Sequence, residues 1–230
     1  GLQIPTSWRE WGLYIILGMT GNFVYQVVFN QGLLTTPAAT SSIIMALTPM
    51  TTALMALVVY KDIMRPIGWL FTITAFAGVA IIILWNGPIN VPMGAFWTLF
   101  GMILFAIYNI VNRGLSLKGH DPITVATWSM FTGAIMALPF VSQSVATIAA
   151  APPIAWLAII YLACFSSALG FVFWSYALEH AEHVSDVTNF MYLSPVVAAI
   201  VAALLIGEIP DLGLYIGAPI ILCSLYMFNK

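Results

Sequence analysis

Apolar residues run along this chain in stretches of about twenty, the length a helix needs to cross a bilayer core, set apart by short breaks rich in polar residues and proline. The stretches are apolar all round. They lack the two-residue alternation that marks strands, including those of a membrane barrel. The breaks divide the chain into eight predicted helices, at 8–34, 38–60, 66–85, 93–115, 122–141, 154–178, 184–206 and 210–229. Pro37, Pro66, Pro92 and Pro122 stand at or near helix starts, where a missing N–H costs nothing. NGPINVP (86–92) and APP (151–153) cannot continue a helix.

Two of the stretches repeat one another. IIMALTPMTTALMALVVYKD (43–62) lies over NFMYLSPVVAAIVAALLIGE (189–208) without a gap. Met45 falls on Met191, Leu47 on Leu193, Pro49 on Pro195, Ala53 on Ala199 and Ala56 on Ala202, with Asp62 and Glu208 at the ends. The offset of 146 holds from about Gly18 to the end of the third predicted helix. The first three helices thus overlie the sixth to eighth. Five spans separate the members of each pair, and an odd number reverses direction across a membrane. The expected architecture is an all-α integral membrane bundle of inverted repeats, a plan found in secondary transporters. Residues 92–230 form a five-helix second repeat, and residues 1–86 the last three helices of a first. Counterparts of the fourth and fifth helices would precede residue 1. The expectation is a ten-helix protein whose first two helices are missing from this chain, with a native eight-helix protein as the alternative.

Composition and charge sharpen this picture. The chain is 62% hydrophobic and 6% charged, against about 25% charged in soluble domains. No Lys, Arg, Asp or Glu occurs over 11–60, 66–112 or 122–178. An ionised side chain at the bilayer centre costs about 2.5–3.5 kcal/mol on insertion scales, so lipid selects such gaps. With eight spans, Arg9, Lys61, Arg65, Arg113, Lys118 and Lys230 all fall on one side, which the positive-inside rule makes cytoplasmic. Both ends of the chain are then expected in the cytoplasm, and the protein in the cell's inner membrane. A net charge of −2 without a basic patch argues against nucleic acid as a partner. Cys164 and Cys223, inside apolar segments, read as small buried hydrophobes.

TPAATSSIIMALTPMTTALMALVVYKD (36–62) and EHVSDVTNFMYLSPVVAAIVAALLIGE (182–208) resemble the EamA-type repeat of the drug/metabolite transporter superfamily. In that repeat a helix rich in small residues carries a central proline and ends near an acid. A helix with glycines follows, as at Gly68 to Gly78 and Gly213 to Gly217. The resemblance covers nearly the whole chain. It implies ten helices in two inverted halves and a transporter, commonly an exporter of amino acids or other small metabolites. Lys61 before Asp62 departs from the Gly207–Glu208 pair.

The polar residues inside the spans are the candidate chemistry. Pro49 and Pro195 free the carbonyls of Met45 and Met191, which must meet protein or water; Thr48 and Ser194 stand beside them. These prolines mark either a hinge or cavity wall, or a packing kink. Asn22, Gln26 and Asn30, four apart, form a polar stripe facing the bundle, as substrate contact or as interhelical bonding. Asn22 and Gln26 are its site candidates. Tyr108 and Asn109 with Asn112, Trp174 with Tyr176, and Asn189 with Tyr192 would add amides and rings to a cavity of little fixed charge. Such a lining suits a small amphiphile. Asp186, in the first turn of its helix, either complements the helix dipole or senses a proton or cation. Trp8, Trp11, Trp85, Trp97 and Trp156 read as interface anchors. The acids and histidines of LEHAEHVSD (178–186) read as a solvated link and not a metal site.

The expected function is secondary transport exporting small metabolites, amino acids foremost, by alternating access. The alternatives are a carrier of multiple drugs, lipophilic cations or sugar-linked metabolites, and a non-transporting membrane scaffold or receptor. An enzyme is not expected: no histidine lies inside a predicted span, and neither GxSxG nor HExxH occurs. The expected partners are a small-molecule substrate and membrane lipid, with no cofactor and no metal. The sequence leaves the oligomeric state open.

Overall fold

The computed structural model describes residues 2–36, 38–85, 93–206 and 212–228. Pro37, Pro92, the break at 86–92, the link at 207–211 with Glu208, and Lys230 lie outside the described residues. These residues form eight long helices. They are α1 (Trp8–Thr35), α2 in two pieces (Ala38–Met45 and Thr48–Tyr60), α3 (Pro66–Leu84), α4 (Gly94–Ser116), α5 (Pro122–Ala149), α6 (Pro153–His180), α7 (Val184–Ile206, itself interrupted) and α8 (Leu212–Phe228). The first seven are long and apolar enough to cross a bilayer, and α8 is a shorter apolar helix of 17 residues.

Local chemistry accounts for the ends. Ser7 caps α1, its hydroxyl accepting the N–H of Glu10 at 3.2 Å, while the Glu10 carboxylate accepts the N–H of Thr6 at 2.7 Å. Prolines open α3, α5 and α6. Helix α5 runs eight residues past its predicted end. The polar run SQS at 142–144 does not stop a helix; the prolines at 152–153 do.

The surface is inverted relative to that of a soluble protein. Val58, Leu204 and Leu34 are about four-fifths exposed, as lipid-facing side chains are. Cys164 and Cys223 are free and exposed, not buried as expected. In a lipid-facing helix apolarity does not imply burial.

Two helices widen into π-helical turns, α1 at Gly18–Phe23 and α6 at Leu162–Leu169. At the offset of 146 the first stretch falls on residues 164–169, inside the second. One extra residue in a turn rotates the rest of the helix by about 100°. The predicted stripe accordingly does not act as one face: Asn22 is half-buried, whereas Gln26 and Asn30 are exposed.

By its contacts the chain divides into two compact units, one of Gly1–Gln26 and Tyr108–Ala181, the other of Val27–Ile107 and Glu182–Lys230. In the first, α5 packs against α1 and α6, with Tyr14, Leu17, Leu115, Val125 and Leu178 buried. In the second, α3 packs along α8, and the later piece of α2 packs against the start of α7. Ala75, Val79, Tyr192, Val196, Ile221 and Leu225 form its core.

Lys61 ends α2 with φ 55°, the left-handed conformation in which glycine is usual. Glycine stands at the equivalent position 207. The departure of Lys61 from the Gly-Glu pair is therefore a strained residue at a helix end. Lys61→Gly is expected to stabilise the protein by about 0.5–1 kcal/mol, the left-handed cost of an L-residue less the entropy glycine loses on folding, measured as a higher unfolding midpoint in detergent. A lower midpoint would refute this account.

Candidate functional site

The second unit contains the paired proline helices. Helix α2 is interrupted at Ala46–Leu47, and α7 tightens to a 3-10 helix at Asn189–Leu193. The offset carries Ala46–Leu47 onto Tyr192–Leu193, so both helices break at the same point. Pro49 and Pro195 remove the fourth-residue donors of the Met45 and Met191 carbonyls; a neighbouring hydroxyl bonds each of them, and the Ser194 N–H also donates to Met191. Thr48 Oγ1 donates to the carbonyl of Met45 at 2.6 Å, and Ser194 Oγ donates to that of Met191.

The two sides of the breaks differ. On one side, the later piece of α2 packs against the start of α7. There the Asp62 carboxylate accepts from His183 Nδ1 and from the N–H of Val184 at 3.1 Å. The Asp186 carboxylate accepts the N–H of His183 at 2.8 Å and completes a capping box. On the other side the helices flank a pocket of about 290 Å³ lined by Ser41, Ser42, Met45, Met191, Ser194, Pro195 and Ala198, with Val79 and Ile83 of α3. Its volume sits at the small end of ligand pockets, about 300–1,000 Å³. The lining is mainly apolar, with serine hydroxyls and no acid or base.

Asn189 and Tyr192 both lie in the 3-10 stretch, where a spacing of three places side chains on one face, and both are buried. Asn189 Nδ2 donates to Thr72 Oγ1 of α3 at 3.1 Å. The buried hydroxyls of Tyr192 and Thr188 have no hydrogen-bond partner among the described residues. A buried polar atom left bare costs about 1–3 kcal/mol, so these hydroxyls are groups a hydrogen-bonding partner would stabilise.

The first unit holds the other candidates. Asn109 Oδ1 accepts from Trp174 Nε1 at 2.9 Å. Asn112 Nδ2 donates to Tyr108 Oη at 3.0 Å and to Ser175 Oγ at 2.9 Å. Tyr108, Asn109 and Asn112 are fully buried. Gly21, in the π-helical turn of α1, lies against the Tyr108 ring, where a Cβ would come within 2.7 Å of Cε2. The amide nitrogen of Asn22 and the amide oxygen of Asn112 are buried and unpartnered among the described residues. Tyr108, Asn109 and Trp174 thus lie in the bonded interior of this unit, whereas Gln26 does not. Tyr176 is exposed and stacks on His180 with ring centroids 4.1 Å apart. Trp8 is almost fully exposed, as an interface anchor would be, while Trp11 packs edge-on against Trp128 at 4.9 Å.

Sequence reasoning left out Ser41, Ser42, Met45 and Met191 as pocket lining, although the offset pairs the two methionines. It gave no signal for Thr72 with Asn189, or for Asp62 with His183. Among the described residues, no cluster of three or more His, Cys, Asp or Glu is placed to hold a metal ion.

A polytopic helical membrane protein with two matched, broken helices around a small uncharged pocket has the make-up of a membrane transporter. The profile of the EamA-like transporter family matches residues 1–84 and 92–230, and the chain belongs to that family. It is a transporter of small molecules and not an enzyme. A probable terminal-alkyne amino-acid exporter of Streptantibioticus cattleyicolor is 29% identical over 230 residues, all of this chain and 76% of that protein. The uncharacterized transporter YyaM of Bacillus subtilis is 29% identical over 197 residues, 82% of this chain and 64% of that one. An S-adenosylmethionine uptake transporter of Rickettsia conorii is 25% identical over 211 residues, 92% of this chain and 67% of that protein. A solved crystal structure with 18% identity shares the fold at a TM-score of 0.80, over all of this chain and 80% of its own.

Proposed function

We propose that this chain carries out secondary export of small metabolites, amino acids with apolar side chains foremost, by alternating access across the inner membrane. One observation carries the reading: α2 and α7 break at matched positions, are packed together on one side of the break and flank a pocket on the other. A pair that exchanged those two arrangements would expose the pocket to each side in turn. The inverted repeat (1–86 and 92–230) supplies the symmetry that makes both arrangements comparable in energy. Matching π-helical turns in α1 and α6 support that repeat. On the charge-based orientation the packed side is cytoplasmic, as are both ends of the chain.

The pocket supports the cargo class. Met45, Met191, Val79 and Ile83 suit an unbranched or aromatic apolar side chain, and serine hydroxyls offer neutral hydrogen bonds. The Streptantibioticus relative is a probable exporter of a terminal-alkyne amino acid. A lining without an acid gives a lipophilic cation no counter-charge. Within the second unit, Asn189 and Tyr192 are proposed to contact the polar part of the cargo, with Pro49 and Pro195 as hinges and Asp186 at the coupling end of α7.

The test is flux of labelled norvaline, leucine, methionine and phenylalanine through proteoliposomes holding the whole protein. Flux above empty vesicles is expected for at least one of the four. Flux of S-adenosylmethionine alone would overturn the cargo assignment, and binding without any flux would make the protein a receptor. Asn189→Leu is expected to lower that flux several-fold, well beyond the fall in Thr72→Val, which breaks the same hydrogen bond but keeps the amide. Wild-type kinetics in Asn189→Leu would remove that residue from the site.

A further inference from the structure

The pairing of Asp62 with His183 does more than cap a helix. Asp62 follows the end of α2, and His183 precedes α7. The Asp62 carboxylate takes the ring N–H of His183 and the first backbone N–H of α7, so one side chain ties the ends of both broken helices together. This contact lies on the packed side of the breaks, away from the pocket. The carboxylate side chain is 14% exposed and the imidazole 42%, so the ring can exchange a proton with solvent while its partner stays shielded.

The repeat gives the contact a direction. The offset carries Asp62 onto Glu208, another acid, and Val184 onto Ala38, but His183 onto Pro37, which has no titratable side chain. The equivalent tie at the other ends of α2 and α7 cannot be built from the same chemistry. Of two mouths related by the repeat, one has a proton-binding pair and the other has not.

We propose that Asp62 and His183 are a proton-binding coupling site, a latch that holds one mouth shut while the imidazole is protonated and releases it when the proton leaves. The proposal rests on the alternating-access reading above. Imidazole changes charge between about pH 5 and 8, a range in which carboxylates stay ionised. The protonated ring donates a charge-assisted bond to Asp62. After deprotonation the remaining ring proton either stays on Nδ1, leaving a neutral bond, or sits on Nε2, leaving a lone pair against the carboxylate. Both outcomes weaken the contact, so the latch is closed at low pH and loosened as pH rises. The other charged groups of this region are Asp186, bonded to the backbone of His183, Glu182 beside it, and Lys61 and Arg65, exposed on the link after α2.

Hydrogen–deuterium exchange of the whole protein in lipid nanodiscs, at pH 6 and pH 8, tests the latch without any cargo. After correction for intrinsic exchange chemistry, residues 182–188 are expected to exchange ~5-fold faster at pH 8, because the Val184 amide loses its acceptor whenever the latch opens. His183→Gln is expected to abolish the pH step, and Asp62→Asn to give fast exchange at both pH values. An unchanged wild-type rate, or a wild-type pH step in His183→Gln, overturns the proposal. Absence of amino-acid flux would overturn the cargo assignment while leaving this result untouched.

Discussion

Gly217→Val is expected to yield no folded protein. Helix α8 lies against α3 so closely that a Cβ on Gly217 would sit 2.5 Å from the carbonyl oxygen of Gly78 and 2.5 Å from Cγ1 of Ile82. A Cβ on Gly78 would meet Ile221 Cγ1 at 2.8 Å and the Gly217 carbonyl oxygen at 3.0 Å. Two of these neighbours are backbone atoms, which no rotamer change can move aside. In lipid, helices gain little from apolar burial, and backbone approach through small residues supplies the packing instead. Overpacking costs about 1–3 kcal/mol in well-packed sites. Gly217→Ala is therefore expected to lower the unfolding midpoint by about 2–12 °C, at about 2–4 °C per kcal/mol for a chain of this size. The branched valine removes the monodisperse peak in size-exclusion chromatography. Gly12, with nothing within 4 Å of its Cβ position, is the control: Gly12→Ala should leave the midpoint unchanged or raised. A wild-type midpoint in Gly217→Val would refute the close approach.

The second large effect belongs to Arg113. Its side chain is buried at the end of α4, and Nη1 donates to the carbonyl of Leu178 and, at 3.1 Å, to that of Glu179. Both carbonyls belong to the last turn of α6, where four C=O groups lack helical donors and the dipole presents its negative end. Arg113→Leu removes charge and donors together. Leaving such groups bare costs about 1–3 kcal/mol each, so a loss of about 2–6 kcal/mol is expected for the two, measured by thermal unfolding in detergent. Arg113→Lys should fall between, because an ammonium keeps the charge but lacks the planar fork. Wild-type stability in the leucine variant would remove Arg113 from the capping role.

These two residues show how differently parts of the molecule were legible. The long charge-free stretches and prolines placed the helices to within a residue or two at most ends, because lipid admits only that solution. The predicted end of α5 fell eight residues short, because the helix runs on through the polar run at 142–144 to the prolines at 152–153. The offset of 146 located the matched breaks in α2 and α7 and named both hydroxyls that satisfy the freed carbonyls, since those bonds span only three residues. The polar stripe of α1 failed as one face because a π-helical turn, invisible to spacing rules, rotated its lower half. Asn109 and Trp174 were both named from sequence, but their bond was not.

By itself, then, the sequence determined a helical membrane protein, its span order, its internal repeat, its resemblance to a transporter family and the paired proline breaks. All of these rest on composition and on relations along one helix or at one constant offset. Only the tertiary structure decided that Asp62 meets His183, 121 positions away, and that Asn189 meets Thr72, 117 away. It alone brought Gly78 against Gly217 and left the serine-edged pocket on one side of the breaks. The physical reason is that these helices are apolar all round. Without an amphipathic face to set each helix's rotation, which side chains meet is settled by small residues, kinks and the few polar groups that must find one another.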